Sequence, residues 1–343
     1  MTIDKRITDS LQGIIEHYCN KTVLVTGSTG MIGQNVVHLL LALNERYDSN
    51  IRIVAHARSK EKLNTLFSTE LDQKQIFPII QDIKDLSVDF PVDFIIHTAN
   101  ITGGSKQHLD FPMRTISTCL ESAKKVLDIA LENKGKVIFL SSLEVYGFTG
   151  ESQDIYETSG GYIDCTNPRS SYSESKRMCE CMFAAYAKEY GLGAYIARLT
   201  ASFGYGVSPT DKRVFSQFAH SIMEHKDIVL KSTGKTIRNY CDAQDVASAL
   251  LFIMVNGEPG TAYNVANKET EISIKELASK FIELYPESGS KLVFDLSEDA
   301  TKLGYNAEMR NVLNTDKLNS IGWKAVFGIE EMIHHLMISL GYQ

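Results

Sequence analysis

The chain has 343 residues, of which 43% are hydrophobic and 22% charged, and it carries a formal net charge of −7. Length alone sets a prior of roughly two domains and rules out a single small one. The acidic balance argues against a nucleic-acid partner, which needs clustered Lys and Arg, and the absence of low-complexity tracts and internal repeats argues against a disordered chain.

Residues 1–20, MTIDKRITDSLQGIIEHYCN, alternate charge with apolar positions and contain no uninterrupted apolar run. They read as neither a signal peptide nor a membrane span. Ile7, Leu11, Ile14 and Ile15 instead suit an N-terminal helical extension. From Lys21 the chain alternates strand-like and helix-like runs: TVLVTG, a helix through VVHLLLALNE, IRIVAHA, a further helix, IFPIIQD and DFIIHTA. The alternation continues through the helix STCLESAKKVLDIALEN, the strand KVIFLSS, a long loop, the helix SYSESKRMCECMFAAYAKEYG and the strand AYIARLTASFG. Such alternation predicts a parallel sheet with crossover helices on both faces, its apolar strands buried on both sides.

After Gly206 the pattern loosens into a helix and a hairpin-like segment ending at GKTIRNY, and residues 296–323 read as polar and irregular. Between them, CDAQDVASALLFIMVN and TAYNVAN read as a helix and a strand that rejoin the main sheet. The expected fold is α/β, a Rossmann-type doubly wound parallel sheet with a smaller, discontinuous C-terminal substrate domain. The cofactor domain spans 21–206 and about 239–267, and the substrate-binding lid about 207–238 and 268–343. Cys19, Cys119, Cys165, Cys179, Cys181 and Cys241 lack CxxC or Cys/His ligand spacing. They read as reduced cytoplasmic thiols with no metal site and no disulfide framework.

The first strand runs directly into Thr26-Gly27-Ser28-Thr29-Gly30-Met31-Ile32-Gly33 and then an apolar helix. Glycines at a strand-to-helix turn permit a tight turn, let backbone N–H groups approach a pyrophosphate and allow close helix–strand packing. A dinucleotide site is expected, with an ordinary glycine turn as the bland alternative. The second strand ends on Ala57 where an acidic residue commonly binds the adenosine ribose, and Arg58, Ser59 and Lys60 follow. A guanidinium pairs with a 2′-phosphate that a carboxylate would repel, so NADP is favoured over NAD. Asp82 is placed either at the adenine amino group or as a helix cap, and Ile83 and Ala99 complete the expected cofactor contacts.

The strand KVIFL opens into Ser141-Ser142-Leu143-Glu144-Val145-Tyr146-Gly147, and Tyr172-Ser173-Glu174-Ser175-Lys176 follows on a helix. Residues four apart share a helical face, so the Lys176 ammonium lies beside the Tyr172 ring and favours its phenolate. The competing reading is an exposed helical pair.

TGSTGMIG, SSLEVYG and YSESK resemble the extended short-chain dehydrogenase/reductase family of nucleotide-sugar epimerases, dehydratases and decarboxylases, over nearly the whole chain from Lys21. The resemblance implies that Tyr172 is the acid/base on a sugar hydroxyl, that Lys176 also holds the nicotinamide ribose, and that Ser142 hydrogen-bonds the reacting oxygen. It further implies that Glu144 removes the proton next to a transient ketone; the alternative is a structural carboxylate. Dehydratases of this family have an Asp acid where this chain has Leu143. Arg213 and Arg238, and more weakly Arg310, resemble arginines that grip the nucleotide diphosphate, with solvated surface arginine as the alternative. The family's usual Asn residues are replaced by Ala201 and Cys119.

A nucleotide-linked sugar is therefore the expected substrate, and epimerisation or dehydration through a 4-keto sugar the expected reaction. A net NADPH-dependent keto-sugar reductase and a non-catalytic NADP-sensing protein are the alternatives. The resemblance also implies a homodimer built on the helices after Pro112 and around Tyr172. Met178, Cys181, Met182 and Ala185 offer an apolar face for it, unless that face packs inside the subunit.

Overall fold

The computed structural model describes residues 1–100, 108–150, 154–296 and 309–342. Part of the segment expected to be irregular, 297–308, lies outside the described residues. Seven parallel strands form the main sheet: β1 (Thr22–Thr26), β2 (Arg52–Ala57), β3 (Ile76–Ile80), β4 (Phe94–His97), β5 (Lys136–Ser142), β6 (Gly193–Leu199) and β10 (Ala262–Val265). Their order is β10-β6-β5-β4-β1-β2-β3. The chain leaves β1 in one direction and returns to its other side at β4, and that reversal opens a crevice at the carboxyl ends of the two strands.

Alternate side chains on each strand feed two cores. Val23 and Val25 of β1 join Ile53 and Ala55 of β2 on one face, and Leu24 joins Val54 and Ile95 on the other. The first face is covered by α2 (Met31–Tyr47) and by the helix Ala243–Asn256, the second by α4 (Pro112–Asn133) and α5 (Ser171–Tyr190). Each fully buried Val or Leu contributes about 1.5–3 kcal/mol. That two-sided covering is the doubly wound arrangement expected from the sequence. One strand departs from it: β3 is the sheet edge, and Phe77 and Ile80 remain 42% and 38% exposed, because nothing continues the sheet beyond them.

Past Gly206 the expected hairpin is not formed. β8 (Ile228–Leu230) pairs with β12 (Leu292–Phe294), whereas β9 (Ile237–Asp242) pairs with β7 (Ala201–Phe203), β11 (Asn267–Ser273) and β13 (Arg310–Asn311). The apolar residues of each strand find a better partner far along the chain than in each other. TAYNVAN, by contrast, does rejoin the main sheet as β10. The N-terminal extension packs onto the first core through Ile7, Leu11, Ile14 and Ile15. The Gln244 side chain holds it there by accepting from Asp4 N at 3.0 Å and donating to Thr2 O at 2.9 Å. No described helix is long and apolar enough to cross a membrane.

Thr26, at the end of β1, faces His56 on β2 and His97 on β4 in register. Both histidines are 1% exposed. His97 Nδ1 shares a hydrogen bond with Thr26 Oγ1 at 2.8 Å, and His56 Nε2 meets Gln81 O at 3.1 Å. Burial disfavours the imidazolium and lowers His56 to about 4 and His97 to about 3. An unfolded histidine titrates near 6.5, so the unfolded chain binds more protons between that value and the folded ones. The stability these neutral rings supply is complete above pH 6.5 and is lost as pH falls, by about 2.5 kcal/mol per histidine at pH 4.5. Urea denaturation across pH 7 to 4.5 should show this decline, and His56→Gln should flatten it. Equal pH slopes for the two proteins would contradict the assignment.

Candidate active site

The glycine turn lies at the crevice between β1 and β4. Gly27 adopts φ +68°, and a Cβ there would come within 2.7 Å of Ala99 Cα. A Cβ on Gly33 would sit 2.3 Å from the Gly27 carbonyl oxygen. Only glycine permits either approach, so the first turn of α2 is pressed directly onto the strand end. Ser28 donates its N–H and its hydroxyl to His56 O, both at 3.0 Å, which holds the turn against β2. Gly30 caps α2 with no side-chain hydrogen bond, leaving first-turn amides for an anion. Met31 and Ile32 open that turn, followed by Gly33.

The other predicted cofactor residues follow the ends of β2, β3 and β4. Ala57 ends β2, and Arg58 beyond it is exposed. The Asp82 carboxylate accepts from Lys84 N at 3.1 Å, so it caps the short turn Ile83–Asp85, and Ile83 is buried beneath it. Ala99 backs Gly27.

At the end of β5, Ser142 Oγ accepts from Glu144 N at 3.2 Å and shapes the turn Leu143–Tyr146. The Glu144 carboxylate is exposed on that turn and accepts from Ser173 Oγ at 3.4 Å. Ser173 follows Tyr172 in the first turn of α5, so Glu144 is tied to the turn that carries the tyrosine. Leu143 packs toward the small apolar cluster of Val145, Tyr146, Ile155, Ala266 and Leu313. Lys176 is 3% exposed; its ammonium donates to Leu140 O and stands 5.8 Å from the Tyr172 ring centroid. The i, i+4 pairing is therefore formed, with the cation inside the protein rather than on its surface.

Two residues of this site carry no signal in the sequence. His108, 63 residues before Ser171, stacks on the Tyr172 ring with centroids 4.6 Å apart. Its Nδ1 meets Thr115 Oγ1 at 3.2 Å, and Ser171 Oγ donates to its carbonyl. Burial lowers its titration, opposed by the nearby Glu144 carboxylate, so a neutral ring backs the tyrosine. Arg177 donates from Nε to Val145 O at 2.7 Å and ties the Glu144 turn to α5. Neither belongs to a spacing motif, and only the fold brings each to its partner.

Beneath the site, Ser141 donates to Glu180, and Arg198 grips the Glu180 carboxylate with contacts down to 2.7 Å. Arg198 also donates to Tyr146 Oη at 3.0 Å, and Tyr146 donates to Asn264 at 2.6 Å. Burial pushes Tyr146 up to about 12, so this hydroxyl stays a donor.

The three predicted substrate arginines differ. Arg213 pairs with Asp211, donates to Ser202 O at 3.2 Å and reaches to 3.8 Å from Met31 Sδ, beside the glycine turn. Arg238 has its Nε buried without a hydrogen-bond partner. Arg310 is already answered by Glu271 and Asp154, at 2.9 and 2.6 Å. Among the described residues, no group of three or more His, Cys, Asp or Glu stands together as a metal site.

Because the Gly33 contact is with backbone, Gly33→Ala must displace α2 from β1. NADH fluorescence titration should show affinity at least about tenfold weaker in the variant, the equivalent of one lost charge-assisted contact. Unchanged affinity would show that the turn is not the dinucleotide site.

Residues 23–266 match the NAD dependent epimerase/dehydratase family. The chain is 28% identical over 325 residues to mouse dTDP-D-glucose 4,6-dehydratase, covering 91% of this chain and 86% of that one. It is 24% identical to UDP-glucuronic acid decarboxylase 1 of Xenopus tropicalis, covering 94% and 74%. Among solved structures, an epimerase from Methanothermobacter thermautotrophicus superposes with a TM-score of 0.80 at 20% identity, covering 98% and 95%. A dTDP-glucose 4,6-dehydratase from Bacillus anthracis, solved in complex with NAD, superposes at 0.75 with 19% identity, covering 93% and 96%. The family match begins inside β1 and ends just past β10, taking in the glycine turn, the Ser142 strand end and the Tyr172 helix, and this chain belongs to the NAD dependent epimerase/dehydratase family.

Proposed function

We propose that the protein converts a nucleotide-linked sugar through a transient 4-keto sugar, with Tyr172 as acid/base, Ser142 holding the reacting oxygen and Glu144 as a second base. The observation that carries this reading is the Ser173–Glu144 hydrogen bond at 3.4 Å, which brings the carboxylate to the first turn of the tyrosine helix. Gly27–Gly33, with Ile83, Ala99 and Lys176, would hold a nicotinamide dinucleotide, which would supply the acceptor and donor of the electron pair that leaves the sugar and returns to it. Tyr172 takes the hydroxyl proton, with the buried Lys176 ammonium beside its ring. His108 keeps the ring from turning. Once the ketone exists, the neighbouring C–H is acidified, and Glu144 removes that proton. Arg213 and Arg238 are assigned to the diphosphate, Arg238 through the buried Nε that lacks a partner, and Arg310 follows if its two carboxylates release it.

The division of labour is proposed with the cofactor domain at 21–206 and about 239–267, the lid at about 207–238 and 268–343, and a cytoplasmic location. Net NADPH-dependent reduction of a keto sugar is the second reading. It is favoured by Leu143, which packs into an apolar cluster and cannot protonate a leaving hydroxyl. A homodimer through α4 and α5 fits the exposure of Met178, Cys181 and Ala185, and light scattering returning a monomer mass would remove it.

NADP is favoured over NAD by Ala57 and Arg58. Arg58→Ala should weaken NADP by about 1.5–3 kcal/mol while sparing NAD; equal titration curves for both cofactors in the wild type would remove the preference.

The catalytic assignment is tested by screening UDP-, CDP-, GDP- and dTDP-sugars and then comparing two variants. Tyr172→Phe should lose both nicotinamide reduction and product. Glu144→Gln keeps shape but not basicity, so reduced nicotinamide should accumulate in a single turnover while the later step slows about 10²–10⁴-fold. Wild-type turnover by Glu144→Gln would make that carboxylate structural.

A further inference from the structure

Cys119 on α4 and Cys179 on α5 are separated by 60 residues of chain, yet their sulfur atoms stand 3.4 Å apart. Cys179 Sγ also lies 3.4 Å from Cys119 O, so its S–H is directed at the Cys119 residue. The two are 3% and 0% exposed, inside the apolar layer that α4 and α5 share with Phe139 and Phe183. Cys179 follows Lys176 by three residues on the same helical face, and the Lys176 ammonium stands over the Phe139 ring at 4.3 Å.

We propose that Cys119 and Cys179 form a reversible dithiol–disulfide site whose oxidation weakens cofactor binding through Lys176. The proposal rests on the role given to Lys176 at the nicotinamide ribose. The S–H of Cys179, which is directed at the Cys119 residue, and the nearby ammonium pull the titration of Cys119 down, whereas Cys179 is pushed up by the same hydrogen bond and by burial. Cys119 is therefore the attacking sulfur and Cys179 the resolving one. With hydrogen peroxide as oxidant, the Cys119 thiolate takes one oxygen as the O–O bond breaks, giving a sulfenic acid and hydroxide, which becomes water on protonation. Cys179 sulfur then displaces that oxygen as a second water, and the S–S bond forms. Two thiols lose two electrons and two hydrogens, and the peroxide is reduced to two waters. A disulfide holds its sulfurs about 2.05 Å apart, so they must close by more than 1 Å. A close-packed interior transmits such a displacement. Lys176 lies one turn before Cys179 on α5, and Tyr172 one turn before Lys176.

The exposed thiols Cys165 and Cys181 are first replaced by serine, so that peroxide chemistry at the surface does not obscure the pair. The protein is treated with hydrogen peroxide, denatured, alkylated and mapped by peptide mass, and NADH affinity is read by fluorescence before and after. The expected result is a Cys119–Cys179 cross-linked peptide together with about tenfold weaker NADH binding, both reversed by dithiothreitol. Cys179→Ala, with Cys119→Ala as the second variant should the first not fold, should bind NADH with an affinity that peroxide leaves unchanged. Two thiols that remain alkylatable after treatment, or a cross-link that leaves NADH affinity unaltered, would overturn the proposal. Failure of the reduced protein to bind NADH would sink the cofactor assignment itself, and this proposal with it.

Discussion

The contact on which the rest of the site depends is the approach of α2 to the end of β1, where Gly33 meets the Gly27 carbonyl and Gly27 meets Ala99. β1 is flanked by β4 and β2 in the main sheet. Pressing the helix onto it directs the uncapped amides of the first turn over the crevice at the strand ends. A single methyl group would force helix and strand apart. The same crowding fixes Ala99 on β4's side and the Ser28 turn on β2's side, so the glycine turn and the sheet register are one constraint.

A second constraint is charge placed in a mostly apolar interior. Lys176 is buried with its ammonium on Leu140 O and above Phe139, and the rings around it are neutral. His97 is lowered to about 3 by burial first and then by Lys176, and His108 is lowered by burial. The cation thus stands beside Tyr172 without an imidazolium next to it. Below it, Glu180 of α5 pairs with Arg198 of β6 and accepts from Ser141 of β5, so the three elements meet on one carboxylate. Removing one partner of such a pair leaves an unanswered charge and costs about 3–5 kcal/mol.

Much of this was legible in the sequence because it is local. The glycine turn, the order of strands and helices through β6, and the Tyr172–Lys176 spacing each depend on residues within one or two elements. What the sequence did not disclose depends on distant parts of the chain. His108 reaches Tyr172, and Cys119 reaches Cys179, only because α4 packs on α5. The pairing of β8 with β12 and of β9 with β7, β11 and β13 has the same origin, and the hairpin reading failed because adjacency in sequence was weaker than burial against remote strands. Leu143 was visible as a missing acid, but its turn toward Val145 and Ile155 was not.

The central claim is that the sugar is oxidised and then reduced again within one turnover, with no net change in the cofactor. The most direct measurement follows a substrate carrying deuterium on the carbon that Tyr172 serves, together with the amount of nicotinamide consumed per product. The account predicts that the label stays within the product and that no cofactor is consumed. One NADPH used per product, with no internal return of the label, would contradict it and establish the protein as a reductase.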